Sequence, residues 1–394
     1  MTAETAPAAA PPPLEVARAL APRIRARADE IEAARQLPAD LVMEIASAGL
    51  FKVAVAEAAG GLGADILTAL HVIEEVARAD GSTGWCLAMG VNTFRQSAQF
   101  SPEVRGLMFH SDPIGVSAGS ANPRGRAVAV PGGYRVTGHW FFASGCMHSS
   151  SLHGACKVFD GDAPRRLPNG DQEVRIAYFY PKAGARILDT WNVSGMRGTG
   201  SHDIEADELF VPDEHTFSAL ERRTRVTGPI NRIHGFDLAG CAFACVGLGV
   251  ARAAIDGLVE LASAKVPRSS SDLLRERAAA QARVAEAEAL LRSGRAYLFD
   301  VVREMWETVL ATRPITERQR SDLRLAMTHA AQSASKATHL VCETAGTTSI
   351  FTGHPLERYA RDAEVVTRHN QLQFVNYEAV GRTLFGLESN SPLF

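Results

Sequence analysis

The sequence predicts a mainly α-helical protein with a central β-domain. Residues 14–111 and 226–394 carry long stretches whose apolar side chains recur at helical spacing, while 112–225 is dense in Gly, Pro and β-branched residues and alternates with period two. The third part holds four helix-length stretches, 230–264, 272–309, 321–345 and 355–387, as a four-helix bundle requires. A chain of 394 residues, 46% hydrophobic and 22% charged, has material for a large core.

Residues 1–13, MTAETAPAAAPPP, have the Ala/Pro content of a disordered leader and lack the basic and apolar regions of a signal peptide. A helix is expected over 14–34, and a second from Pro38 to the Gly49 stop. The Gly-rich segment 58–65, AAGGLGAD, has neither a βαβ context nor a following Lys-Ser/Thr, and reads as a connector. The next helix, 65–79, shows one apolar side through Leu67, Leu70, Ile73 and Ala77. ADGSTGW (79–85) breaks it, and a further helix to about Gln99 carries Asn92, which by itself reads as a cap or a solvent-facing residue.

In the β-domain, strands are expected over 114–118, 126–130, 173–180 and 204–211. SAGSANP (117–123) reads as a loop, its small residues those of an ordinary turn. GGYRVTGHWFFASG (132–145) opens with a Gly-Gly turn and alternates, placing Tyr134, Val136, Trp140, Phe142 and Ser144 on one face. Two large aromatics and then a hydroxyl make a flat apolar wall with one hydrogen-bonding point, which suits a planar heterocycle. The low bulk of 196–201 lets that backbone approach a ligand. His148 and His153 have no metal-site spacing and read as surface or hydrogen-bonded residues.

In the last helical stretch, PLERYARDAEVVTRHNQ (355–371), His369 lines up with Val365, Val366 and Leu372 and is expected to face inward. Imidazole titrates near neutrality and can take a proton from a phenol or amine. A net charge of −3 and a pI near 6.5 give no electrostatic case for a nucleic acid or an anionic membrane as partner. No stretch reads as a membrane span, and six cysteines in this length are no disulfide framework, so a reduced, cytoplasmic protein is expected.

Three segments carry a family resemblance, one of them WNVSGMRGTGSHDIEADELFVP (191–212), which resembles the dehydrogenase segment that passes from the flavin region into the last strand. GxxxxxGxWxFxSG, Gly132 to Gly145, resembles the flavin-facing strand of the acyl-CoA dehydrogenase fold, and more specifically of its two-component flavin monooxygenase branch (group D hydroxylases). PxERxxRDA, Pro355 to Ala363, resembles the segment that precedes the dehydrogenases' C-terminal Tyr-Glu-Gly-Thr element. Here His369 stands at the tyrosine place, Asn370 at the glutamate place and Gln371 at the glycine place. An amide cannot be the base that a thioester dehydrogenase needs, and a histidine at this position is characteristic of the monooxygenase branch.

The resemblance implies an N-terminal helical domain, a barrel-like middle domain and a C-terminal four-helix bundle. It implies that Ser144 bonds the reactive ring nitrogen of a flavin beside Trp140 and Phe142, with Ser117, Ser120 and Arg268 as further cofactor contacts and Asn92 and His369 facing substrate. It also implies reduced FMN or FAD from a separate reductase, O2 as co-substrate, hydroxylation of an aromatic, foremost phenolic, molecule through a flavin C4a-hydroperoxide, and a homotetramer. The chain shows no dinucleotide fingerprint of its own. AKVPRSS around Arg268 and AGTTS (345–349) depart from the dehydrogenase elements that hold FAD, leaving FMN equally open. The alternatives are an acyl-CoA dehydrogenase or oxidase with tightly bound FAD, and an N- or S-oxygenating member of the same branch.

Overall fold

The computed structural model describes residues 11–110, 114–219, 225–268 and 270–390; the first ten residues of the expected leader and the boundary expected at 111/112 lie outside them. Pro13 opens α1 (Pro13–Ala26), where its missing N–H is no loss. A joint at Arg27 separates α1 from α2 (Ala28–Ala34), followed by α3 (Ala39–Ser47), α4 (Ile66–Ala79) and α5 (Gly81–Gln96). The break expected over 79–85 narrows to Asp80, whose carboxylate accepts from Thr83 N and Oγ1, both at 2.7 Å, and caps α5. The short α6 (Pro102–Arg105) ends this part.

The β-domain contains β1 (Ser117–Val130), β2 (Gly133–Trp140), β3 (Ser151–Asp160), β4 (Ala163–Pro164), β5 (Val174–Phe179), β6 (Arg186–Leu188), β7 (Asp203–Pro212) and β8 (Thr216–Ser218). They form one mixed sheet in the order β6-β7-β2-β1-β3-β5-β8, with β1 and β3 parallel and β4 on β3. Its described edges are β6 and β8, so it is an open sheet where a barrel-like domain was expected.

Two expectations about this domain are corrected. SAGSANP is the first half of β1, with a register shift against β3 between Ser120 and Gly125, not a loop. Its one glycine serves close packing, since a Cβ at Gly119 would lie 1.8 Å from the His153 carbonyl oxygen; further along β1, one at Gly125 would lie 2.4 Å from the Trp140 ring. Trp140 and Phe142, moreover, do not share a wall. Trp140 is fully buried, its Nε1 donating to the Ala155 carbonyl at 2.9 Å and its ring seated over Gly125, Gly138 and Gly154. β2 ends at Trp140, and Phe142, with φ of 63°, is 66% exposed. Alternation lapses because the chain leaves the sheet there.

A Cβ at Gly154 would stand 2.3 Å from the Trp140 ring. Gly154→Ala should therefore destabilise the protein by about 2–3 kcal/mol through overpacking, read as a lowered urea midpoint with unchanged slope; an unshifted midpoint would show that the indole is not locked there.

The C-terminal part comprises α7 (Gly235–Ala264), α8 (Ala278–Leu310), α9 (Glu317–Ala345), α10 (Pro355–Arg368) and α11 (Asn376–Leu384). Thr316 and Gln319 form a capping box that starts α9 ahead of the expected residue 321. By length and composition α7 could cross a membrane, contrary to the sequence reading, but it is almost wholly buried against α4, α5, α9 and α10 and is a core helix. The fourth expected helix is two: α10 stops at Arg368, and His369 takes extended backbone angles (φ −65°, ψ 135°) as its C-cap. The turn is stitched by the His369 carbonyl, which accepts from Leu372 N and Gln373 N, and by Gln371 Nε2 donating to the Phe236 carbonyl.

Candidate active site

His369 leaves α10 at the turn just described, so its ring is set by that turn instead of by a helix face. The imidazole packs on Phe243 of α7 with centroids 4.5 Å apart, and edge-on to Trp85 of α5 at 5.6 Å. Trp85 and Phe243 stack on each other at 4.3 Å. Nδ1 accepts from Gln371 N at a long 3.4 Å, and Nε2 has no partner among the described residues. Burial pushes the imidazole down to about 4, so it is neutral at pH 7.

Ser144 reaches the same cluster from the β-domain. Trp85 Nε1 donates to its Oγ at 3.1 Å, so one indole touches both residues that the sequence singled out. Beyond it runs a chain of hydroxyls: Ser144 Oγ to Ser201 Oγ at 2.6 Å, Ser201 Oγ to Thr199 Oγ1 at 2.6 Å, and Thr199 Oγ1 to the Met196 carbonyl at 2.8 Å. Ser144 is 7% exposed, so its oxygen sits at the inner end of the cluster.

The RDA segment holds this arrangement together. Asp362 Oδ1 accepts from Met196 N at 2.5 Å, and Arg361 pairs with Glu357 at 2.6 Å and Glu32 at 2.9 Å while donating to the Ser194 carbonyl. Burial pushes the Asp362 carboxyl up to about 7 against the pull of that N–H. α10 thereby fixes both His369 and the 194–201 loop. The loop's glycines pack closely on α2 and α10: a Cβ at Gly198 would lie 2.1 Å from Ile31, and one at Gly195 2.4 Å from the Arg361 carbonyl oxygen.

Other candidates fall elsewhere. Asn92 is on the Trp85 face of α5, two turns or roughly 10 Å further along, and its buried Oδ1 has no partner among the described residues. Ser117 is buried on β1, its Oγ 3.0 Å from Nδ1 of His153, whose ring stacks on Tyr178. Ser120 only accepts from Asn122 N in its own strand, at 3.3 Å. Trp140 lies in the sheet core and Phe142 in solvent. Arg268 is exposed beyond the far end of α7, roughly 30 Å along the axis from Phe243, and does not join Ser144 within one chain. His153 is hydrogen-bonded, as expected, and His148 is half-buried with its Nε2 enclosed and no partner for it among the described residues; burial holds both imidazoles down to about 4. No three His, Cys, Asp or Glu among the described residues are grouped to hold a metal.

Sequence reading missed Trp85, Phe243, Thr199 and Ser201. The first two are single large rings in small-residue runs, GSTGWCLAMG and GCAFACVG. Such runs let helices approach, which is what brings the rings together.

Family models for the acyl-CoA dehydrogenase N-terminal and C-terminal domains match residues 14–100 and 241–374. The chain is 34% identical over 365 residues to the indole-3-acetate monooxygenase of Pseudomonas putida, covering 92% of this chain and 91% of that one. It belongs to the flavin-dependent monooxygenases of the acyl-CoA dehydrogenase fold. The oxygenase is also 27% identical to the oxygenase component of the FADH(2)-dependent resorcinol hydroxylase of a Rhizobium species, over 92% of this chain and 91% of that one. The crystal structure of 3-HSA hydroxylase from Rhodococcus sp. RHA1 superposes with a TM-score of 0.88 at 26% identity, covering 98% of this chain and 99% of that one.

The residues present suit a reduced flavin. The oxygenase offers a hydroxyl at an aromatic wall, a neutral imidazole with a free nitrogen, and a buried amide oxygen left unpaired on Asn92. Neither Glu343, which is exposed, nor Glu364, which pairs with Arg368, places a carboxylate in this cluster.

Proposed function

We propose that this oxygenase component hydroxylates an aromatic molecule that carries an acidic ring O–H or N–H, with His369 taking that proton at Nε2 and Ser144 holding the edge of the flavin ring. The observation that supports the reading is the junction of Ser144 and His369 through Trp85, with no carboxylate base beside them. Bound reduced flavin supplies the electrons and the activated dioxygen. The protein's own residues do the rest. His369 draws the proton away and raises electron density at the adjacent ring carbon. Trp85 and Phe243, stacked and nearly inaccessible, keep water from that side of the reacting groups. Asn92 faces the substrate from α5.

Phenols meet the requirement for an acidic proton; indole-3-acetate, the compound named for the Pseudomonas relative, offers instead a ring N–H that can donate a hydrogen bond to Nε2 as the ring carbon reacts. Reduced FMN or FAD arrives from a separate NAD(P)H-dependent reductase, and the protein works in the cytoplasm as a homotetramer. Exposed Phe374, Phe385, Ile350 and Phe351, in the turns between and after the C-terminal helices, support such assembly. The test supplies chemically reduced FMN or FAD and air to the pure protein with a panel of phenols, indole-3-acetate, and amine or sulfide analogues. Ring-hydroxylated product from the phenols or the indole is expected; product from the amines or sulfides alone would move the oxygenated atom to N or S.

A further inference from the structure

Thr199, Ser201 and Ser144 have three hydroxyl protons for three close oxygen contacts that end on a carbonyl. The Met196 carbonyl can only accept, so Thr199 spends its proton there. Ser201 must then donate to Thr199, because a 2.6 Å contact with no proton between the oxygens would set lone pair against lone pair. By the same reasoning Ser144 donates to Ser201. Trp85 Nε1–H occupies one lone pair of Ser144 Oγ. What remains at Ser144 is a single lone pair and no proton.

The anchor of this order is rigid. The Met196 carbonyl also accepts from Trp191 Nε1 at 3.1 Å and from Thr199 N at 3.2 Å, so it cannot turn away from Thr199 Oγ1 without breaking both, and the amide before it is held by Asp362.

We propose that Thr199 and Ser201 determine which redox form of the flavin the site accepts, by fixing Ser144 as a hydrogen-bond acceptor. The central ring nitrogen of reduced flavin carries a proton and matches that lone pair; in oxidised flavin it is an acceptor itself and faces Ser144 unpaired. This rests on Ser144 meeting the ring nitrogen, as proposed above. Reduced cofactor is then taken up and oxidised cofactor released by the same hydroxyl.

The test is equilibrium binding of oxidised flavin in air and of reduced flavin under anaerobic conditions, for wild type, Ser201→Ala, Thr199→Val and Thr199→Ser. Wild type binds the reduced form more tightly. Ser201→Ala frees the Ser144 proton to meet oxidised flavin, narrowing the ratio of the two dissociation constants by about tenfold, the worth of one matched hydrogen bond. The narrowing comes mostly from tighter binding of the oxidised form. Thr199→Val lets the Ser201–Ser144 pair reverse and moves the ratio the same way, while Thr199→Ser keeps the chain and the wild-type ratio. If the wild type favours the reduced form and neither Ser201→Ala nor Thr199→Val changes the ratio, the proposal is overturned while the oxygenase reading stands. A wild type that binds neither form overturns both.

Discussion

His369→Ala should lower the rate of aromatic hydroxylation by roughly 10²- to 10³-fold, the usual worth of a general base, while the affinity for reduced flavin changes by less than about twofold. The imidazole meets the protein through Phe243, Trp85 and one long bond at Nδ1, and no contact in the Ser144 chain depends on it. Its loss therefore removes a proton acceptor without disturbing the hydroxyl that faces the cofactor. Oxygen consumption then ends in hydrogen peroxide in place of product. His369→Asn separates two roles: its amide can donate or accept a hydrogen bond but cannot take a proton at neutral pH. It should be as impaired as the alanine variant, and a recovered rate would reduce His369 to a hydrogen-bonding post. Because burial holds the imidazole at about 4, the hydroxylation rate should show no loss from this group until the pH falls toward that value.

The second large effect is acid lability. His148, His153 and His369 are all held down to about 4, whereas in the unfolded chain a histidine titrates near 6.5. Between those values the unfolded state binds three more protons at these sites, so the stability they contribute is present at neutral pH and drains away as pH falls. Asp362 works in the opposite sense. Raised to about 7 from its usual 3.8, it is protonated in the folded protein and not in the unfolded one, and adds stability as pH falls through 7. Two protons net remain on the destabilising side, and the expected loss between pH 7 and pH 5 is about 3 kcal/mol. Urea unfolding at the two values measures it. A midpoint higher at pH 5 would mean that these imidazoles titrate normally in the folded state.

The order of helices, sheet and bundle was legible because hydrophobic periodicity survives in long helices and alternating strands. Ser144 and His369 were legible through their motifs, yet the structure reaches both by routes that periodicity does not describe. Phe142 was placed by extending alternation past the end of β2, and His369 by extending a helix past its C-cap. In each case the functional residue lies just where regular structure stops and tertiary packing sets the backbone. The SAGSANP error has a different source. Its small residues look like turn formers, but Gly119 is small because the His153 backbone of the neighbouring strand presses on it, a pressure that comes from residues distant in sequence. Trp85 is the residue that joins the two halves of the site, and its partners, Ser144 and Phe243, come from other domains, so no local pattern could expose it.

The most direct measurement is a single turnover with chemically reduced flavin, isotopically heavy dioxygen and no reductase present, followed by mass analysis of the aromatic. One heavy oxygen atom in the product, in an amount that tracks the flavin supplied, is the expected result. A protein that purifies with tightly bound FAD, leaves the aromatic untouched and is bleached by an acyl-CoA would contradict it and restore the dehydrogenase reading.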